Sequence, residues 1–196
     1  MSQIIIDTNI ISVARLPQKP QWLLDWLDGL PVGSVAIPWV LIYEVEYGIH
    51  QAKRTNLAKA LFVAEWFEEF LQQSLIILDM TTEAARTLGR MAACPALRHF
   101  FETLPRTDRN GKRFKNDRIN LGCDAILAAL SIAHGLPVAT FNDKDFLLIH
   151  AHFPIPGVYN PRSDEWVVPP PIGWGMTDNA NDDDPDGAVG EAFQLR

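Results

Sequence analysis

The chain has 196 residues, 47% of them hydrophobic, which suits one globular domain with an appendage and excludes a fibrous or wholly disordered polymer. No apolar run approaches the ~20 residues of a membrane span, and the start MSQIII lacks the basic opening and long apolar stretch of a signal peptide, so a cytoplasmic protein with no membrane partner is expected. The net charge of −7 is uneven: residues 160–196 carry eight acids against two arginines, whereas 98–118 holds seven cations against three acids. Cys94 and Cys123 show no metal-site or C-x-x-C spacing and are expected to be reduced, half-buried thiols.

In chain order, residues 3–6 (QIII) read as a short strand, apolar throughout and therefore covered on both faces. The strand runs into Asp7, Thr8 and Asn9. These residue types cap helices, but they also gather at ligand sites beyond the carboxyl ends of strands. Residues 22–30 (WLLDWLDGL) place Trp22, Leu23, Trp26, Leu27 and Leu30 at helical spacing, a stripe that reads as packing. A strand at 34–38 leads into a helix through WVLIYEVEYGIHQA (39–52), and a second helix follows over roughly 56–73. LIIL (75–78) is the next strand. TTEAARTLGRMAA (81–93) is a helix opened by a capping Thr, and GCDAILAALSIAHG (122–135) is one apolar almost all round, closed by Gly135. LPVATF (136–141) and GVY (157–159) read as strands.

Strands alternating with helices predict an α/β three-layer domain over residues 1–159, with a short, mostly parallel sheet of four to five strands flanked by helices. A basic insertion around 95–120 interrupts it. Residues 160–196, rich in Pro, Gly and Asp, are expected to form an extended, partly disordered acidic tail. Its DDDPDG run (182–187) starts like a calcium-binding loop, but Phe193 stands where the bidentate Glu belongs.

Four segments set acids in comparable places. Asp7 follows the first strand, Glu44 lies on a largely apolar helix, Asp124 opens the 122–135 helix, and Asn142, Asp143 and Asp145 follow the strand ending at Thr140. Each has a plain structural account. Asp124 suits a helix N-terminus, Glu44 and Glu46 can form a wet helix face, and NDKD can be a turn. Together, however, they would converge on the carboxyl edge of a parallel sheet. Two carboxylates ~4 Å apart repel by about 4 kcal/mol at an effective dielectric of 20, so a proton or a cation must relieve the cluster. Oxygen donors with no His or Cys at ligand spacing select hard ions such as Mg²⁺ or Mn²⁺, which suit phosphoryl chemistry.

IIIDTNIIS, YEVEYGI and CDAILAALSIAHGLPVATFNDKDF, in that order, resemble the PIN domain, specifically the VapC-type toxin ribonucleases of type II toxin–antitoxin systems. The resemblance covers residues 3–159. It implies a PIN-like fold and a metal-dependent endoribonuclease, a hydrolase of phosphodiester bonds that uses Mg²⁺, with Mn²⁺ able to substitute. It also implies an RNA substrate, a homodimer, and a cognate small antitoxin protein that obstructs the site. Carried over residue by residue, the first family acid falls on Asp7. The second falls on Glu44, with Val45 in place of Leu and Gly48 matching, and the third falls on Asp124. In the fourth element Thr140 and Phe146 match, Asn142 takes the metal-side position and Asp145 is the later acid. The resemblance thus implies catalytic roles for Asp7, Glu44, Asp124 and Asn142. Metal would be held by Asp7, Asp124 and Glu44, with Asp143, Asp145 and Thr140 as contributors to the fourth corner.

Two departures stand out. Asn142 replaces an acid, which keeps open the alternative of a non-catalytic PIN-fold module that binds RNA or protein. The 95–120 segment is long for the family, and its Arg109, Lys112, Arg113 and Lys115 suit RNA phosphates. A HAD-type phosphatase also begins with a strand ending in Asp. It needs a second Asp at position 9, where this chain has Asn9.

Overall fold

The structure is a computed structural model that describes residues 2–16, 18–102 and 122–175. Six strands form one sheet: β1 (Ile4–Ile6), β2 (Val35–Pro38), β3 (Ile76–Leu78), β4 (Val138–Ala139), β5 (Val158–Asn160) and β6 (Glu165–Val168). Their order is β3-β2-β1-β4-β5-β6; the first five are parallel, and β6 pairs antiparallel with β5. Eight helices are found among the described residues: α1 (Thr8–Ala14), α2 (Gln21–Asp28), α3 (Trp39–Lys53), α4 (Leu57–Leu71), α5 (Thr82–Ala92), α6 (Arg98–Phe101), α7 (Cys123–His134) and α8 (Asp143–His152).

The apolar run of β1 works on both faces because side chains alternate along a strand. Ile4 and Ile6 join a core with residues of α1, α2, α3 and α4, while Ile5 joins a second core with α5, α7 and α8. All three isoleucines are at most 1% exposed, and full burial of such a side chain contributes ~1.5–3 kcal/mol. The result is three layers, helices on either side of a sheet. From β1 the chain builds outward through β2 to β3, then returns to the other side of β1 with β4 and β5. The strand order reverses between β1 and β4, and in open α/β sheets ligands gather in the crevice at the carboxyl ends of such a switch point.

The expected strands and the long helices α2, α3, α4, α5 and α7 are present. The sheet has six strands, where four to five were expected. The sixth comes from residues assigned to the tail: a turn containing Asp164 at φ 56° folds EWVV back onto β5. Its Trp166 packs on Tyr159 and Trp174, with ring centroids 5.1 and 5.0 Å away. The composition of that segment reads as Pro- and Gly-rich chain, whereas Trp166, Val167 and Val168, three residues of high strand propensity beside an aromatic neighbour, suffice to extend a sheet. The start of the expected insertion is also folded, as a 3₁₀ turn (Pro95–Leu97) and α6, which bury Leu97 and Phe100. Arg109, Lys112, Arg113 and Lys115 lie outside the described residues, as does the acidic chain beyond residue 175. Both cysteines are free and half-buried. No helix among the described residues is long and apolar enough to cross a membrane.

Candidate active site

The carboxyl ends of β1 and β4 lie side by side, joined by the Asp7 N–H donating to the Ala139 carbonyl at 3.0 Å. Asp7 is the N-cap of α1 and only 6% exposed. Its Oδ2 accepts from the Thr140 hydroxyl at 2.6 Å and from the Asn9 amide at 2.7 Å. Asn9 ties the two strand ends together, since its Nδ2 also reaches Thr140 Oγ1 at 3.0 Å and its Oδ1 accepts the Phe141 N–H at 3.3 Å. Thr140 is fully buried and accepts the Asn142 N–H at 2.9 Å, which sets the turn into α8.

The two helix-borne acids arrive by different routes. Glu44 sits mid-way along α3, where the Thr8 hydroxyl from the first turn of α1 donates to its Oε2 at 2.6 Å. Asp124 occupies the first turn of α7, which starts immediately after Gly122 at φ 64°. A Cβ at Gly122 would meet the Phe100 carbonyl and the Phe101 ring at 3.1 Å, so only glycine fits this entry to the helix.

Asn142 donates Nδ2 to Asp124 Oδ2 at 2.9 Å and to Asp145 Oδ2 at 2.7 Å. With a carboxylate on each side its amide nitrogen, not its carbonyl, must face inward. Of the two neighbouring acids, Asp145 therefore joins Asp124, while Asp143 is held elsewhere, with both oxygens accepting from Asn160 at 2.9 Å. Thr8 and Asn9, which the sequence leaves open between helix caps and site residues, both stand at the acids, and Asn160 carries no signal in the four acidic segments. The available signal for Asn160 was a polar residue ending the apolar strand GVY.

The charges are unbalanced. Burial is the main cause that pushes Asp7 up to about 6, opposed by its Thr140 and Asn9 hydrogen bonds and reinforced by Glu44. Burial also dominates for Asp124, pushed up to about 7, and the negative charges of Asp7, Asp145 and Glu44 add to it. The thiol of Cys123, half-buried and hydrogen-bonded to Glu44, is pushed upward too and stays protonated. The ion pairs found among the described residues involve none of these acids. Every donor to Asp7, Glu44 and Asp124 named above is a neutral hydroxyl, amide or thiol, which orients a carboxylate without cancelling its charge.

No group of three acidic, histidine or cysteine side chains among the described residues is closed up tightly enough to hold an ion as it stands. The donor chemistry nevertheless fits one. Four carboxylates that share one repulsive field and offer only oxygen suit a hard divalent cation.

Aromatic side chains stand beside Thr140 at the end of β4. Trp22 meets Phe141 edge-on at 5.7 Å, and the Arg162 guanidinium carbon lies 4.7 Å from the Phe141 ring centroid. Trp26 instead stacks on Tyr159 at 5.9 Å within the core, as the packing reading of that stripe requires.

The family pattern described as "PIN domain" matches residues 4–150. Ribonuclease VapC14 of Mycobacterium tuberculosis (strain CDC 1551 / Oshkosh) is 25% identical over 65 residues, 33% of this chain; the match spans 63% of the length of that relative. Two solved structures share the fold. The crystal structure of FitAcB from Neisseria gonorrhoeae is 22% identical with a TM-score of 0.53, over 82% of this chain and 99% of that one. VapBC2 from Rickettsia felis, bound to a DNA fragment from its promoter, is 20% identical with a TM-score of 0.51, over 83% and 98%.

Proposed function

The chain belongs to the PIN domain family, and from that premise we propose that it is a metal-dependent endoribonuclease, the toxin of a toxin–antitoxin pair. One observation carries the reading: carboxylates from four separate segments meet at the crevice, two of them with raised proton affinity and all with neutral partners. Asp7 and Asp124 would hold the ion, with Glu44 and Asp145 beside them and Asn142 spanning Asp124 and Asp145. A bound Mg²⁺ or Mn²⁺ supplies a Lewis acid for the phosphate and lowers the proton affinity of water.

The chain's own residues supply the order around that chemistry. Thr8 pins Glu44 through Oε2, so that this carboxylate can orient the attacking water and draw on its proton. Thr140 and Asn9 hold Asp7 against rotation. The buried floor limits solvent reorganisation as charge develops on the phosphate. A cognate small antitoxin, a homodimer and a cytoplasmic location belong to the same proposal, and what supports them is the resemblance of the sequence motifs to the VapC-type toxins. Ribonuclease VapC14 supports RNA as the substrate.

A second reading draws on Asn142. Its amide already bridges Asp124 and Asp145, an arrangement that a non-catalytic module binding RNA or protein could keep without any metal. Mixed RNAs incubated with the purified protein separate the two. Cleavage that requires Mg²⁺ or Mn²⁺, stops in EDTA, and is lost in Asp7→Asn and Asp124→Asn supports the nuclease. RNA binding without cleavage under every metal condition supports the module. Cleavage surviving both substitutions would sink the proposed site.

A further inference from the structure

Arg162 lies in the turn between β5 and β6, at the same sheet edge as the acids and beyond the residues that the family pattern matches. It is exposed, and the ion pairs found among the described residues do not involve it. Its guanidinium stands over the ring of Phe141, the residue between Thr140 and Asn142, and a ring face takes none of the five N–H donors of an arginine. The turn beneath it is built. The Arg162 N–H donates to Asn160 Oδ1 at 3.0 Å, and the amide nitrogen of the same Asn160 grips Asp143 at the start of α8. Phe141 in turn is tied to Asn9 through its N–H and packed edge-on by Trp22. A cation is thus held on an aromatic shelf at the mouth of a crevice whose floor is acidic.

An acidic floor repels a polyanionic chain everywhere except at the bound ion, so a strand crossing it needs cationic contacts on the rim. Guanidinium groups beside aromatic rings are the usual single-strand-binding surface. We infer that Arg162 is a positioning residue that grips an RNA phosphate next to the one being cleaved, with Phe141 holding the guanidinium in place. The inference rests on the ribonuclease reading and assigns one contact of that substrate.

The test is steady-state cleavage of single-stranded RNA with Mg²⁺ over a range of KCl concentrations. It compares the wild type with Arg162→Ala, Arg162→Lys and the control Arg90→Ala, from the last turn of α5 at the opposite sheet edge. Arg162→Ala is expected to raise KM about three- to tenfold with kcat within about twofold, and to make log KM less salt-dependent by about 0.7, the share of one phosphate on a single strand. Arg162→Lys should restore most of that slope, and Arg90→Ala should match the wild type. A salt slope in Arg162→Ala equal to that of Arg90→Ala overturns the assignment, as does a fall in kcat with KM unchanged, which would mark a purely structural role. If the wild type cleaves and Arg162→Ala behaves like it, only this inference falls. If the wild type cleaves no RNA with any metal, the ribonuclease reading falls first and takes this contact with it.

Discussion

At the scale of single residues, the acids set how stability responds to pH. Asp7 near 6 and Asp124 near 7 both lie above the ordinary 3.8, so the folded metal-free protein keeps protons that the unfolded chain releases. That stability is fully present below the unfolded value and is lost as pH rises through 6 and 7. For the buried Asp7 the loss is on the order of 3 kcal/mol. The melting temperature in EDTA is therefore expected to fall between pH 5 and pH 8, and Mg²⁺ should reverse the fall at pH 8. A melting temperature that rises over this range in EDTA contradicts the charge arrangement. Thr8 offers a second check. In Thr8→Val, Glu44 keeps its place on α3 but loses its hydroxyl donor, so kcat should drop by about tenfold or more while the melting temperature moves by a few degrees at most. Asp7, Glu44 and Asp124 were readable from sequence because each interrupts an apolar pattern. Asn160 was not, since its role depends on Asp143 meeting it across the strand end.

At the scale of elements, α7 is delivered by its first residue pair. Gly122 combines a left-handed φ with a Cβ position already crowded by α6, so Gly122→Ala should cost about 1–3 kcal/mol. It should also move Asp124 away from Asn142. Calorimetry gives the first quantity. The second predicts that Mg²⁺ raises the melting temperature of Gly122→Ala less than that of the wild type. Elements with strong periodicity were legible: α2, α3, α4, α5 and α7 stand where their apolar spacing placed them. α8 was not, because its start, NDKD, has the composition of a turn and its described core residues are Phe146 and Ile149 alone. The Thr140 hydroxyl receiving the Asn142 N–H turns that segment into a helix start, a contact with no periodic signature.

At the scale of the whole molecule, the sheet does not end where the family pattern does. Trp174 donates its indole N–H to the Gln3 carbonyl at 3.0 Å and packs on Trp166, so the segment after β5 clasps the chain beside β1. A chain ended after Asn160 would lose β6 and uncover Tyr159. It is expected to melt at least several degrees lower and to aggregate through the exposed β5 edge. Equal melting temperatures for the two chains would show that the clasp contributes nothing.

The layered fold is legible in the order of the residues, as are the points where Asp7, Glu44 and Asp124 break apolar runs. Burial on both faces of a strand, and on one stripe of a helix, writes a local pattern that can be read residue by residue. Which groups face one another emerges when the chain folds. Asn142 turns its amide to Asp124 and Asp145, Asn9 ties β1 to a residue 131 positions away, and Arg162 settles over Phe141. A hydrogen bond or a shared charge depends on distance in space, and no periodicity along the chain encodes the meeting of segments that the sheet brings to one edge.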